Sequence, residues 1–232
     1  RVLYSTFDVT NLIHPGKNTA AVRLGGGWYC LATPDLFGFE KAPWTGSSRM
    51  FFRLRIDSGS NSNFVKSDGS WRWSTGAITF NCVRGGETHD KRMEQPGWNQ
   101  EVFDDSSWKP VVYVQAPSGR LVSQQLPPIQ ELSTIPATEV KEVGTGSYIV
   151  KFAENMTGWT RFRLRGKSGD KISLQFAELL LPDGRLDMKL KSHTYGRWQR
   201  DEVILAHNDE TTFEPHFTYH GFQFVQIDGL KY

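Results

Sequence analysis

Short segments in which every second residue is apolar recur along this chain, and they constrain its fold more than any other feature. In residues 51–56, three apolar side chains alternate with Arg53 and Arg55. Successive side chains of a strand point to opposite faces, so this alternation is typical of antiparallel strands with one buried face. The same period of two is present in residues 148–152, 162–164 and 172–176. The pattern predicts an all-β fold.

Composition and turn spacing support that prediction. The chain has 30 aromatic residues (8 Trp, 7 Tyr and 15 Phe) and 22 Gly, which favours strands joined by turns. We also predict strands at Ala20–Leu24 and Val111–Val114, and a central strand at Phe222–Ile227, which is apolar on both faces. Residues 186–200 fit one helical turn or a loop. Regularly spaced short strands of this kind indicate β-sandwiches.

The chain is long enough for one large β domain or two smaller ones. Its composition changes between Ala116 and Pro136, a stretch with four prolines and no lasting periodicity. We interpret this stretch as an interdomain connection. The predicted organisation is therefore a β-sandwich over residues 1–125, a linker over 126–135 and a second β-sandwich over 136–232.

Charge and hydropathy exclude several classes of protein. The formal net charge is only +2 and the basic residues are scattered, so we predict no nucleic-acid partner. No run approaches the roughly 18 apolar residues of a membrane helix, so we predict no membrane partner.

Cellular location stays open at this stage. The chain begins at Arg1 without a signal-peptide pattern, so we do not expect residue 1 to be the natural start. A secreted or periplasmic location is favoured over a cytoplasmic one. Cys30 and Cys82 exclude a disulfide-rich scaffold, and we expect two buried free thiols, with a single bridge as the alternative.

The densest group of polar side chains lies between Gly85 and Trp98, in the run GGETHDKRMEQPGW. We interpret this run as a loop between two strands, where binding groups are commonly found. A solvated turn with internal hydrogen bonds is the alternative.

Carbohydrate recognition is the chemistry that these residues favour. Aromatic rings can cover the C–H faces of a sugar, while charged groups bind its hydroxyls. The candidate sugar-binding residues are Trp28, Tyr29 and Trp98 for the rings and Glu87, Asp90 and Arg92 for the hydroxyls. The alternative is structural: Trp28 and Trp98 lie in the core, and Arg92 forms an ion pair with Glu87.

The remaining reactive side chains do not form a recognisable catalytic or metal pattern. Glu87, Asp90, Glu94 and Glu178 are carboxylates near the motifs, but nothing places two of them across a cleft, as glycoside hydrolysis requires. We predict no catalytic residues in this chain. His216 and His220 are four residues apart in a β-like context, so we expect them, with Tyr219, to pack or to form a domain interface rather than to bind metal.

Several ordered segments together resemble bacterial-type α-L-rhamnosidases of glycoside hydrolase family 78. They are VLYSTFDVTNLIHPGKNTAAVRLGGGWY, GGETHDKRMEQPGW, FDDSSWKPV, ENMTGW, FAELLLPDGRL and FEPHFTYHGFQFVQIDGL. The resemblance covers nearly the whole chain. It implies an N-terminal, galactose-binding-like (jelly-roll) sugar-recognition sandwich over 1–125, with its first strands missing, and a concanavalin-like sandwich over 136–232.

The resemblance also implies a function. Family enzymes place their catalytic carboxylates in a following (α/α)6 barrel, so this chain would be a non-catalytic, carbohydrate-recognising fragment of a glycoside hydrolase. Its expected partners are rhamnosides and its own catalytic barrel. A stand-alone carbohydrate-binding module and a ligand-free structural spacer are the alternatives.

Related rhamnose-binding modules use calcium, held by oxygen ligands from the two loops around Gly26 and Asp90. Here Gly26 stands where relatives often have Asn, and Lys91 stands where calcium-binding relatives have Asn. One amide ligand is lost and one cation is gained, whereas calcium requires six to eight oxygens. We predict no calcium, no other metal and no cofactor.

Overall fold

The computed structural model describes residues 2–35, 37–189 and 197–231. Within those ranges the chain forms fifteen β-strands and three short 3-10 helices, Thr10–Leu12, Phe39–Lys41 and Lys91–Met93. The strands are β1 (Val2–Tyr4), β2 (Arg53–Ser58), β3 (Asn61–Lys66), β4 (Arg72–Trp73), β5 (Ile78–Cys82), β6 (Gly86–Asp90), β7 (Lys109–Pro110), β8 (Leu121–Ser123), β9 (Ala137–Gly144), β10 (Ser147–Gly158), β11 (Phe162–Leu164), β12 (Lys171–Ala177), β13 (Arg200–Ile204), β14 (Thr211–Phe213) and β15 (His220–Asp228). The all-β prediction is confirmed.

The chain divides into two compact units that interleave along the sequence. Unit 1 comprises Arg1–Arg23, Met50–Ser74 and Pro96–Leu132, and unit 2 comprises Leu24–Arg49, Thr75–Gln95 and Ser133–Tyr232. Two segments from the first half of the chain therefore belong to unit 2, and the second of them, Thr75–Gln95, contains β5 and β6, which pair within its main sheet. Each domain predicted from sequence, 1–125 and 136–232, is one continuous stretch, unlike these units. The predicted domain boundaries stay a prediction.

The described residues of unit 1 form three short strand pairings. β1 pairs with β8 in parallel, and β2 with β3 and β4 with β7 pair antiparallel. The alternation in residues 51–56 is confirmed in β2, where Leu54 and Ile56 are half-buried between exposed arginines.

Two of the predicted strands are wrong. Ala20–Leu24 and Val111–Val114 form no strand in the structure. Val112 and Tyr113 are each 77% exposed. Alternation marks which side chains a strand would bury, but a strand also requires a hydrogen-bonded neighbour and a covered face.

A seven-stranded sheet dominates unit 2, in the order β5-β6-β13-β12-β15-β10-β9. β15 lies between β12 and β10 and pairs antiparallel with both, which confirms the predicted central strand. β6 and β13 pair in parallel, with Val203 opposite His89, in an otherwise antiparallel sheet. β11 and β14 form a separate antiparallel pair.

The core of unit 2 comes from the alternating residues of its strands. Ile172, Leu174 and Phe176 are fully buried along β12, as the period of two predicts. They join Val203, Phe213, Phe222 and Val225 in one hydrophobic cluster. Each such fully buried side chain contributes roughly 1.5–3 kcal/mol.

Three further predictions concern the cysteines, membrane-spanning helices and residues 186–200. Cys30 and Cys82 are free thiols, with Cys82 buried and Cys30 half-buried. No helix among the described residues is long and apolar enough to cross a membrane. Part of the ambiguous segment 186–200, residues 190–196, lies outside the described residues.

Removing residues 1–132 should destabilise what remains. A chain of residues 133–232 lacks β5 and β6, so β13 would present an unpaired edge, which promotes aggregation. We expect this truncated chain to aggregate or to unfold at a lower temperature than the full chain. Size-exclusion chromatography and thermal circular dichroism measure both. A monomeric truncated chain with an unchanged melting temperature would contradict the observed pairing.

Glu202 on β13 should make stability depend on pH. Burial opposes its ionisation, but Lys171, Arg197 and Arg200 outweigh burial and lower the pKa of the carboxyl. A lowered folded pKa stabilises the protein above the unfolded value of about 4.3, and this contribution is lost as pH falls through the folded pKa. The wild-type advantage over Glu202→Gln should therefore be full above about pH 5 and should shrink as the pH falls below 4.

Urea unfolding at a series of pH values checks this expectation. Glu142→Gln on the exposed edge strand β9 is the matched control and should leave the pH profile unchanged. A pH-independent difference between wild type and Glu202→Gln would contradict the ion-pair account.

Candidate functional site

The first part of the polar run that the sequence places in a loop is a buried strand, β6 (Gly86–Asp90). Every residue of β6 is buried, although four of the five, from Glu87 to Asp90, carry polar or charged side chains. Gly86 begins the strand with φ +94°, and a Cβ atom there would collide with the Arg200 carbonyl oxygen on β13. The prediction of a loop is therefore wrong for Gly86–Asp90. The polar side chains are tolerated in the interior because other parts of unit 2 supply partners for them.

Glu87 is the most deeply buried of these residues, with 0% of its surface exposed. Its Oε2 accepts hydrogen bonds from the backbone N–H groups of His216 (3.0 Å) and Phe217 (3.1 Å). Its Oε1 lies 3.8 Å from His89 Nδ1 and 3.7 Å from His216 Nδ1. Burial opposes ionisation, but interactions with His216 and His89 outweigh it and lower the Glu87 pKa to about 2.

A second buried carboxylate holds β6 to the sheet. Asp201 on β13 is 0% exposed, and its Oδ1 accepts a 2.8 Å hydrogen bond from the Glu87 N–H. Its Oδ2 lies 3.1 Å from Nε2 of His220. The His220 ring in turn stacks on Phe176, with 4.1 Å between ring centroids. Asp201, which lies on β13, therefore contacts both β6 and β15.

Asp90 is bound by the side chain of its near neighbour. Arg92 donates from Nε to Oδ1 (2.9 Å) and from Nη2 to Oδ2 (2.7 Å), and its backbone N–H also bonds Oδ1. These hydrogen bonds lower the Asp90 pKa despite desolvation. Arg92 thus pairs with Asp90, not with Glu87 as the alternative interpretation had it.

Gly26 lies in a tight turn whose geometry excludes a side chain. The Cys30 N–H donates to the Gly26 carbonyl (2.9 Å), and the Gly26 N–H donates to Asn81 Oδ1 (2.6 Å). A Cβ atom at Gly26 would collide with the Cys30 carbonyl oxygen. The asparagine expected in calcium-binding relatives would not fit this turn. The absence of calcium stays a prediction.

An aromatic cluster surrounds Trp28, one of the predicted sugar-binding residues. Trp28 packs edge-on against Phe39 (5.8 Å between centroids), and Phe39 contacts both Phe37 and Trp44. Trp28, Phe37 and Trp44 are 36%, 61% and 48% exposed. We call these four residues, Trp28, Phe37, Phe39 and Trp44, the aromatic cluster.

Arg84 and Asp35 place charged groups beside the aromatic cluster. The Arg84 guanidinium lies over the rings of Trp28 (5.1 Å) and Phe37 (5.3 Å). Its Nη1 donates a 3.0 Å hydrogen bond to Asp35 Oδ2. The Phe37 N–H bonds Asp35 Oδ1, which fixes this part of the loop.

The other predicted residues are not members of this cluster. Tyr29 is half-buried under the Arg49 guanidinium, 5.5 Å from its ring. Trp98 belongs to unit 1, where Arg23 lies 5.3 Å above its ring. Tyr219 is half-buried and His220 is fully buried, whereas the His216 side chain is 43% exposed. A domain-interface role for these three residues stays a prediction.

Sequence reasoning missed several residues that the fold brings to these sites. Arg84 and Phe37 were not among the predicted site residues. Arg84 follows a predicted strand, and Phe37 lies in a loop that contains several aromatic residues. His89 and Glu94 lie inside the polar run and are joined by a 2.6 Å contact between His89 Nε2 and Glu94 Oε1. Asp201 carries no local signal, because its partners are distant in sequence.

Removing the Asp201 carboxylate should cost considerable stability. Asp201→Ala leaves the Glu87 N–H and His220 Nε2 buried without an acceptor, and we expect the free energy of unfolding to fall by about 3 kcal/mol. Chemical denaturation measures the loss. Asp209→Ala, at an exposed position in the loop that follows β13, is the control and should change little. Equal effects of the two substitutions would contradict a central role for Asp201.

Comparison with known proteins identifies similar sequences along both parts of the chain. Residues 1–133 match the α-L-rhamnosidase N-terminal domain family, and residues 141–232 match the bacterial α-L-rhamnosidase concanavalin-like domain family. An α-L-rhamnosidase of Streptomyces avermitilis is 32% identical over 238 residues, covering 99% of this chain and 22% of the relative. One from Formosa agariphila is 30% identical over 234 residues, covering 98% of this chain and 24% of the relative.

Solved structures of the same kind are also similar. The crystal structure of the Streptomyces avermitilis α-L-rhamnosidase complexed with L-rhamnose gives a TM-score of 0.80 at 30% identity, covering 89% of this chain and 20% of that one. The α-L-rhamnosidase structure from Dictyoglumus thermophilum gives 0.78 at 31% identity, covering 89% and 22%. The chain therefore spans about a quarter or less of the length of the proteins that it matches.

Proposed function

Because this chain belongs to the bacterial α-L-rhamnosidase family, we propose that it is the accessory, carbohydrate-recognising portion of an enzyme that hydrolyses terminal α-L-rhamnosides. Two family domains account for the chain, and the relatives extend well beyond them. In this proposal the catalytic (α/α)6 barrel lies outside the chain and is its partner.

The burial and the interactions of the Glu87, Asp90 and Glu94 carboxylates support a non-catalytic role. Glycoside hydrolysis requires one carboxyl group as general acid and a second as base or nucleophile, both facing the substrate. Glu87 is buried, and its pKa of about 2 makes it unsuited to donate a proton. Arg92 occupies both oxygens of Asp90. Glu94 contacts His89 and Lys91.

The aromatic cluster is the observation that carries the recognition proposal. Large apolar side chains are costly to expose, and a group of them on one surface is typical of a binding site. L-Rhamnose offers a C6 methyl group and C–H faces that such rings can cover, while its hydroxyls require polar partners. Trp28, Phe37 and Trp44 supply exposed rings.

Arg84 and Asp35 supply the polar partners. The Arg84 side chain is 32% exposed and lies against two rings of the cluster, so its free N–H groups are available beside an apolar surface. The hydrogen bonds of Asp35 hold the loop before any ligand arrives. A surface fixed in advance loses less conformational entropy on binding.

A ligand-free structural role is the second candidate function. It is favoured by the internal use of Glu87 and Asp90, two residues that the sequence assigned to sugar binding. In that case the aromatic cluster would be covered by another part of the longer protein rather than by a sugar. The two candidates differ in whether the chain binds free rhamnosides.

Replacing Trp28 with Ala should weaken rhamnoside binding. Loss of the ring removes one apolar face of the proposed surface, and we expect affinity for L-rhamnose or a methyl rhamnoside to fall about tenfold, which corresponds to about 1.4 kcal/mol. Isothermal titration calorimetry of the 232-residue chain measures the change, with glucose and galactose as competing sugars.

Trp73→Ala is the matched control. Trp73 is also an exposed tryptophan, 44% accessible, with a cation, Lys109, over its ring, but it lies in unit 1. We expect its removal to leave affinity unchanged. No heat from any rhamnoside with the wild-type chain would favour the structural role, and equal losses in the two variants would remove the aromatic cluster from the proposal.

A further inference from the structure

We propose that Glu87, His89 and His216 bind one zinc ion. This site lies in unit 2, is separate from the aromatic cluster and does not depend on sugar recognition. Among the residues that the structure describes, these three form the only group of His, Cys, Asp and Glu side chains with ligand atoms close enough to hold a metal.

The ligand atoms converge on one point. Glu87 Oε1 lies 3.8 Å from His89 Nδ1 and 3.7 Å from His216 Nδ1, and all three atoms lie within 4.8 Å of one another. Zinc bonds of about 2.0–2.2 Å place tetrahedral ligands roughly 3.3–3.6 Å apart. The two distances from Glu87 Oε1 exceed this range only slightly, whereas a pair at the 4.8 Å limit needs a contraction of about 1.2–1.5 Å. His216 can supply it, because its side chain is 43% exposed and can turn.

The buried ligand atoms lack other partners. Within residues 2–35, 37–189 and 197–231, Glu87 Oε1 and His89 Nδ1 are buried and accept or donate no hydrogen bond. Glu87 and His89 are 0% and 2% exposed, so neither atom can be satisfied by bulk water. An unpaired buried polar group is costly, and an unpaired buried carboxylate oxygen more so.

His89 presents one ring nitrogen to the proposed ion. Its Nε2 lies 2.6 Å from Glu94 Oε1, and because a carboxylate oxygen accepts, Nε2 donates a hydrogen bond to Glu94. Nδ1 is therefore the nitrogen left for a metal, and it lies 3.8 Å from Glu87 Oε1.

Surrounding groups orient the ligands as in known zinc sites. The contact from Glu94 to His89 forms a carboxylate–histidine pair, an arrangement that fixes the ring and raises its basicity toward a metal. The backbone N–H groups of His216 and Phe217 hold Glu87 Oε2, which turns Oε1 toward the two imidazoles. Both ligands from β6 are therefore positioned without the metal.

The donor set selects the kind of ion. Two imidazole nitrogens and one carboxylate oxygen suit zinc, whereas calcium and magnesium prefer oxygen ligands in larger number. Three protein ligands leave a fourth tetrahedral position on the exposed side, at His216. Such an ion would tie β6 to the segment just before β15.

Zinc titration of the full chain tests the proposal. After dialysis against a chelator, we expect the wild type to bind one equivalent of Zn²⁺ and to melt at a higher temperature with it. His216→Ala removes the exposed ligand with little risk to folding, and we expect zinc affinity to fall at least about tenfold because one of three protein ligands is lost. His207→Ala, at another exposed histidine of unit 2, should bind zinc like wild type.

X-ray absorption at the zinc edge gives a second readout that needs no variant. Two imidazoles with light oxygen ligands are expected. Sulfur ligation would point to Cys30 or Cys82 and would overturn the proposal. So would the absence of zinc uptake by wild type, and so would undiminished affinity in His216→Ala.

Discussion

Two buried carboxylates, Glu87 and Asp201, hold the main sheet of unit 2 together at β6 and β13, the strands that pair in parallel within an otherwise antiparallel sheet. Each is fully buried, and each accepts hydrogen bonds from donors on other strands or segments. Burying a charge without such donors would cost several kcal/mol, so the carboxylates fix which strands must meet. The parallel register of β6 against β13, and with it the positions of His89 and Asp90, follows from this requirement.

The sequence predicted the fold best where burial is periodic and local. The alternation in β12 and the two-sided apolar character of β15 identify those strands, because every second residue of β12 is fully buried and β15 has a neighbouring strand on each edge. The same reasoning fails at β6. Its run of polar residues matches an exposed loop in every local respect, and the partners that make its burial possible, such as Asp201 and His216, lie more than 110 residues away.

The candidate sites show the same limit of local patterns. Trp28 and Tyr29 follow a glycine triplet that marks an irregular segment, and the structure keeps Trp28 exposed. Phe37 and Trp44 of the same cluster lie in what the sequence describes only as a long loop, and Arg84 reaches Trp28 and Phe37 from beyond β5. The sequence weighed His216 for metal binding only beside His220, whereas the fold turns His220 to Asp201 and brings His216 to Glu87.

The parallel pairing of β6 with β13 also has a consequence for biosynthesis. β6 ends at Asp90 and β13 begins at Arg200, so a ribosome that adds about 5–20 residues per second needs on the order of 10 s to deliver the second strand after the first. During that interval β6 has no β13 to pair with, so this edge of the sheet stays open. The main sheet of unit 2 can therefore be completed only after β13 and β15 have been synthesised.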